Sequence, residues 1–108
     1  MPITQTRETK LALKRDKYEC QWCLRRENRR RDVFRYVDKY GSIMGGGHHV
    51  FKRDRVDKAE AIIALCSECH WRVENARISK CDMIILLEEI TGVNLREKYR
   101  EFHKCYSA

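Results

Sequence analysis

Leu65-Cys66-Ser67-Glu68-Cys69-His70-Trp71-Arg72-Val73-Glu74 joins a Cys-x-x-Cys knuckle directly to an imidazole and, four residues on, to a carboxylate. Two thiolates three residues apart grip one tetrahedral ion from the turn that opens a helix. A second knuckle, Cys20 and Cys23, lies far upstream, and two such pairs separated by a long segment are a strong signal for a closed four-sulfur zinc site. Cys20, Cys23, Cys66 and Cys69 are therefore the expected shell. It leaves no open position for catalysis, so its role is to clamp the opening segment to the chain after Leu65. From His70 the spacing predicts a helix with His70, Val73, Glu74 and Arg77 on one face.

Upstream of the second knuckle, Gly45-Gly46-Gly47-His48-His49-Val50-Phe51 places two imidazoles side by side at the start of a short strand over 48–51. The glycines read either as a turn or as a stretch where the backbone can pass close to a strand of nucleic acid or begin a hairpin. Successive strand residues point to opposite faces, so His48 and His49 are not expected to ligate the same ion. A division of labour follows. One imidazole binds a divalent cation with His70 and Glu74, and the other, kept neutral, takes a proton from an attacking water. Phosphodiester hydrolysis needs that set, a Lewis acid at the phosphate and a base on the opposite side. For Glu74 a salt bridge with Arg72 or Arg77 is an equal alternative.

The bulk properties agree. A chain of 108 residues suits one domain with a small core that benefits from a metal staple. Met1-Pro2-Ile3-Thr4-Gln5 is not a secretory signal and no apolar run is long enough to span a bilayer, so a cytoplasmic protein with reduced thiols and no membrane partner is expected. A net charge of +7 favours a polyanionic partner, because a basic surface gains free energy by releasing counterions from phosphates. The charge is concentrated in Arg25, Arg26, Arg29, Arg30, Arg31 and Arg35, and in Lys52, Arg53 and Arg55 directly after the histidine pair.

The remaining segments read as support. Residues 6–16 predict a helix capped by Thr6 or Thr9. Tyr18 and Trp22 are expected to pack around the metal as core aromatics, while Phe34 to Tyr40 fits a helix or a strand equally well. Ser79 with Asp82 predicts the start of a helix closed by Gly92, and Asn94 with Glu97 a last helix whose Leu95, Tyr99 and Phe102 form one stripe. These faces would also suit a homodimer. Cys81 and Cys105 have no partner at ligand spacing and read as buried small residues or spare thiols, and His103 as surface or packing.

Arg15-Asp16 through Cys20-Gln21-Trp22-Cys23, then His48-His49-Val50, then Leu65-Cys66-Ser67-Glu68-Cys69-His70 together resemble the HNH endonucleases, also called ββα-metal or His-Me finger nucleases, in their zinc-containing four-cysteine branch. The resemblance spans roughly Arg15 to Arg77 and is interrupted by a long basic insert at about 24–44. It implies an α+β fold, a small zinc-stapled ββα-metal nuclease domain with an N-terminal helix and two C-terminal helices at about 79–106. It also implies His48 as a metal ligand, His49 as the general base, His70 as a second ligand and Glu74 as a third. Beside the structural Zn²⁺, a carboxylate ligand favours Mg²⁺ or Mn²⁺ as the catalytic ion, with Ni²⁺ or Zn²⁺ as alternatives.

The family's middle Asn would fall near Ala61 here, so Asp57, Glu60 or a backbone carbonyl is left to orient His49. Double-stranded DNA is the implied substrate, met in the minor groove. Lys52, Arg53, Arg55, Arg72 and Arg77 are the expected phosphate contacts, with Arg29, Arg30 and Arg31 of the insert as further candidates. The expected activity is metal-dependent DNA hydrolysis. The alternatives are a zinc-stabilised nucleic-acid-binding module that no longer cuts, or an accessory protein docking on a larger machine such as a phage packaging complex.

Overall fold

Helix α1, Arg7–Arg15, begins where Thr6 folds its hydroxyl back to accept the Thr9 N–H at 3.2 Å, and it buries Thr9, Ala12 and Leu13. The computed structural model describes residues 6–33, 46–52 and 54–105. Gly45, Arg53 and the stretch from Phe34 to Tyr40 lie outside the described residues, and the expectations for them with it. After α1, Lys17 and Tyr18 adopt left-handed backbone at φ 55° and 57°. Two consecutive side-chain-bearing residues there cost about 1 kcal/mol or more each, and the sharp turn they make brings Cys20 to the start of α2, Gln21–Arg26. Tyr18 is left 37 % exposed by that turn, so it is not the core aromatic that its sequence position implied, whereas Trp22 does pack against the core. The loop after α2 returns to the same place, with Cys20 N–H donating to Arg31 O at 2.8 Å and Val33 N–H to Tyr18 O at 3.0 Å.

The sheet is a two-stranded antiparallel pair, β1 over Gly46–His49 and β2 over Ile62–Leu65, with His48 opposite Ile63 and His49 opposite Ile62. Val50 and Phe51 leave the strand in a turn. A lone two-stranded pair is marginal in water, and here both its exposed groups and its faces are covered. Arg15 and Asp16 act on β2 in place of a third strand. The Arg15 guanidinium donates to Ile62 O and Ala59 O, each at 2.6 Å, and the Asp16 carboxylate accepts the Ala64 N–H at 2.9 Å. The two side chains are locked together by an Nε···Oδ1 contact of 2.8 Å. Because Asp16 is buried, removing Arg15 leaves a buried carboxylate without its partner, and removing either residue leaves strand groups unpaired.

Every residue of β2 is buried, and it runs straight into α3, Ser67–Glu74. Helix α4, Lys80–Thr91, is capped by Ser79 and closed by Gly92 at φ 73°, as its capping signals predict, and buries Met83, Ile84, Leu86 and Leu87. The last segment departs from the single predicted helix. Only α5, Leu95–Lys98, is α-helical, and a 3₁₀ turn over Arg100–Phe102 follows. Cys81 and Cys105 are not spare thiols, because they form a disulfide across this segment. Closing 24 residues of chain in this way is worth about 3 kcal/mol in loop entropy. His103 is likewise buried rather than on the surface, its Nε2 facing Arg96 O at 2.7 Å and its Nδ1 accepting the Cys105 N–H at 2.8 Å. The result is a small mixed α/β domain in which α1 lies on both strands, α2 and α3 lie against β2 and α4 lies against the 3₁₀ turn over Ala59–Ala61, and no helix of the described residues is long and apolar enough to cross a membrane.

Gly47 has a structural reason to lack a side chain. A Cβ there would lie 2.7 Å from Thr9 Cγ2 and 2.9 Å from Ile62 Cγ2, so β1 and α1 meet only because the position is bare. Gly47→Ala is expected to lower unfolding stability by about 1–3 kcal/mol in a urea titration. Adding Thr9→Ser, which deletes the nearer methyl and keeps the hydroxyl that meets Thr6 Oγ1 at 2.9 Å, should recover part of the loss.

Candidate metal centre and histidine cluster

Each knuckle puts its first cysteine at a helix N-cap and its second in the first turn, Cys20 and Cys23 on α2 and Cys66 and Cys69 on α3. Both helices thereby aim their N-termini at the sulfurs, which favours negative charge there. Within α3 the Cys69 N–H reaches Cys66 Sγ at 3.5 Å. The four sulfurs, all on buried residues, lie within 4.8 Å of one another, with Cys23 to Cys69 at 3.6 Å and Cys23 to Cys66 at 3.9 Å. A tetrahedron with zinc–sulfur bonds of about 2.3 Å has edges of about 3.8 Å, so the cluster is of the right size for zinc or a similar ion.

Proton bookkeeping points the same way. The Cys20 thiol is drawn down to about 5, mainly by the Cys69 hydrogen bond, while burial and the Cys20 charge push Cys23 up to about 11 and Cys69 is also raised. The thiols alone thus resist ionising together. A divalent cation would supply the charge that lets all of them do so.

The basic segment after α2 wraps this centre. Arg31 and Arg72 both pair with Glu68, Arg72 at 2.7 Å, and Arg72 also reaches Glu27 at 2.8 Å. Arg29 contacts Glu27 at 3.1 Å and Glu68 at 3.5 Å, and Arg30 lies 3.7 Å from Glu19. Cys23 raises the pKa of Arg29, and Cys66 that of Arg31. Four of the arginines that sequence reasoning offered to phosphates, Arg29, Arg30, Arg31 and Arg72, are therefore engaged with carboxylates, and two of them also with the sulfur charge.

The histidines come from two elements. His48 on β1 and His70 on α3 meet edge to face, their ring centres 5.1 Å apart. Two imidazoles bound to one ion at about 2.1 Å have centres on the order of 5 Å apart, so the pair fits a shared cation. Burial first, then the neighbouring His70, His49 and Lys80, lowers His48 to about 4, which leaves its ring neutral and able to donate a lone pair. Glu74 Oε1 stands 3.4 Å from His70 Nδ1, as the i, i+4 spacing predicted, and its side chain is 59 % exposed. Among the described residues the sulfurs are the cluster of three or more ligands, and His48, His70 and Glu74 do not close into a second one.

His49 points elsewhere, as strand alternation requires. Its Nε2 lies 2.9 Å from Asp57 Oδ1, and that oxygen also accepts the Thr6 hydroxyl at 3.0 Å. Of the groups considered for orienting His49, Asp57 makes the contact, whereas Glu60 is drawn to Lys98 at 2.8 Å. Thr6 is the member of this set that sequence reasoning missed, since it announced itself only as a helix cap. Lys80 is a second omission, standing at the first position of α4 with its charge acting on His48. Lys52 and Arg55 are exposed, as is Arg77, and none has an ion pair among the described residues.

Comparison with protein-family models, with curated proteins and with solved structures finds no match to this chain. Chemistry and geometry therefore carry the functional reading.

Because the core is small and the sulfurs join its two halves, metal and fold should be lost together. The purified chain is expected to carry one zinc, and a strong chelator or Cys23→Ser should abolish cooperative unfolding followed by far-ultraviolet circular dichroism. A metal-free chain that keeps its helices and a sharp transition would remove the cluster from the account of stability.

Proposed function

We propose that this chain is a metal-dependent endonuclease that hydrolyses phosphodiester bonds of DNA, a zinc-stapled nuclease of the HNH or ββα-metal type. The observation that carries the reading is the arrangement of three imidazoles. His48 and His70 face one another at 5.1 Å, while the adjacent His49 turns away to a carboxylate. One ligand pair and one separately oriented base are what in-line attack on a phosphate requires.

His48 and His70, with Glu74 beside His70, are the residues to hold the catalytic ion, Mg²⁺ or Mn²⁺ before Ni²⁺ or Zn²⁺ given the carboxylate. Such an ion supplies Lewis-acid stabilisation of charge on the phosphate and leaving oxygen. His49 does the proton work. Asp57 occupies its Nε2, which sets the tautomer with the proton on Nε2 and leaves Nδ1 as the basic nitrogen that accepts a proton from water. As His49 becomes cationic, the Asp57 carboxylate stabilises it. Thr6 holds that carboxylate in place, so the cap of α1 and the base share one hydrogen-bonded chain. This division agrees with the resemblance of the sequence to the HNH nucleases, with Asp57 taking the part of their middle Asn.

A second reading has one observation in its favour. His48, His70 and Glu74 are not gathered as tightly as the sulfurs, as expected of a zinc-stabilised DNA-binding module that no longer cuts.

Incubation of supercoiled plasmid with Mg²⁺, Mn²⁺ or Ni²⁺ separates the two. The parent is expected to nick, and His49→Ala to lose about 10²–10⁴-fold in rate while still binding DNA. Asp57→Ala should lose at least about tenfold, and Asp57→Asn, which keeps a hydrogen bond to His49 but not the charge that stabilises its cationic form, should fall between Asp57→Ala and the parent. Absence of nicking with every ion, or full activity in His49→Ala, would overturn the nuclease reading.

A further inference from the structure

Beyond the ion and the base, a strand of DNA must be held by its phosphates, and two groups of cations stand out among the described residues. Arg29, Arg31 and Arg72 are neutralised by Glu27 and Glu68 above the sulfurs. Lys52, Arg55 and Lys80 carry no ion pair among the described residues, although they are drawn together. Two aromatic rings form their floor. Lys80 Nζ donates to Phe102 O at 3.1 Å and sits 5.8 Å from the centre of the Phe51 ring. The Arg55 guanidinium lies over the Phe102 ring at 5.9 Å, and Lys52 directly follows Phe51 in the turn, at φ 69°.

The Cys81–Cys105 disulfide ties the two walls together, one residue after Lys80 and three after Phe102. Burial first, and then the charges of Lys52 and Arg55, lower the pKa of Lys80. Like charges held near one another repel, and an anion that joins them relieves the repulsion.

We infer, resting on the nucleic-acid reading above, that Lys52, Arg55 and Lys80 form a preorganised oxyanion subsite on the Phe51–Phe102 floor that takes a backbone phosphate of the DNA strand next to the one facing His48 and His70. The first group of arginines, by contrast, serves the metal centre. Lys80 is thus a substrate-binding residue, and only three of the sequence's many cations need touch this phosphate.

Salt dependence measures this directly. Binding of a short duplex to the full-length His49→Ala protein is followed by fluorescence anisotropy from low to moderate salt, and log K is plotted against log salt. Lys80→Gln in that background should reduce the slope, and Lys52→Gln with Lys80→Gln should reduce it further, by up to about 0.9 in all, the share of the one phosphate that the subsite holds. The control is Arg26→Gln, whose partner Glu89 lies about 13 Å further along α4, and it should leave the slope near the parent value. Circular dichroism checks that each variant is folded.

An unchanged slope in Lys80→Gln, or an equal fall in Arg26→Gln, overturns the subsite. Inorganic phosphate at constant ionic strength is the second arm. If it raises the melting temperature of the parent but not of Lys80→Gln while the DNA slope stays the same, the site takes free phosphate and the assignment to the strand is overturned. A reduced slope without nicking in any metal supports the subsite and sinks the nuclease reading, whereas nicking with an unchanged slope does the reverse.

Discussion

Four thiols brought within 4.8 Å of one another by two separate helix starts are the constraint on which the rest of this domain depends. The described core is small, and the sheet has only two strands of four residues each. Nothing so short holds α2 against α3 by apolar burial alone. An ion held by the four sulfurs would join the chain at 20 and 23 to the chain at 66 and 69, and α3 carries His70 away from that anchor at a fixed distance of one residue. The position of the histidine cluster is therefore inherited from the sulfur cluster, since β2 leads directly into the second knuckle and β1 is registered on β2.

Charge is arranged to match. A four-thiolate site holding a divalent ion keeps a net negative charge, and the segment after α2 supplies arginines that lie between that charge and the carboxylates of Glu27 and Glu68. Arg31 and Arg72 both reach Glu68, so the loop after α2 and helix α3 are tied around the metal. Exposed pairs of this kind add little stability singly, and their importance here is positional. They occupy cations that a count of basic residues would assign to DNA, whereas Lys80, whose charge acts on His48, has no ion pair among the described residues.

The two residues at the end of α1 show how one short helix serves both fold and site. Arg15 and Asp16 satisfy the outer backbone groups of β2, replacing a strand with two side chains. At the other end of α1 the capping hydroxyl of Thr6 fixes Asp57, and Asp57 fixes His49. A helix that looks like packing is thus coupled at its N-terminus to the residue proposed as base. The bare Cα of Gly47 permits that coupling, because it lets α1 lie directly on β1.

By itself the sequence determined the four cysteines of the sulfur cluster, the helices with strong caps, and the opposite facing of His48 and His49. Each rests on spacing, which is a local property: Cys-x-x-Cys at a helix start, Ser79 ahead of Asp82, Gly92 beyond Thr91, and alternation across His48 and His49. Tertiary structure alone decided that Cys81 meets Cys105, that Asp57 rather than Glu60 meets His49, and that Arg72 is occupied while Lys80 is not. Those outcomes depend on contacts between residues far apart in the chain, where no periodicity carries information. The failure of the last helix to continue past Lys98 has the same origin, since the disulfide and the His103 hydrogen bonds to Arg96 and Cys105 draw the chain away from the helical path that its apolar stripe would otherwise allow.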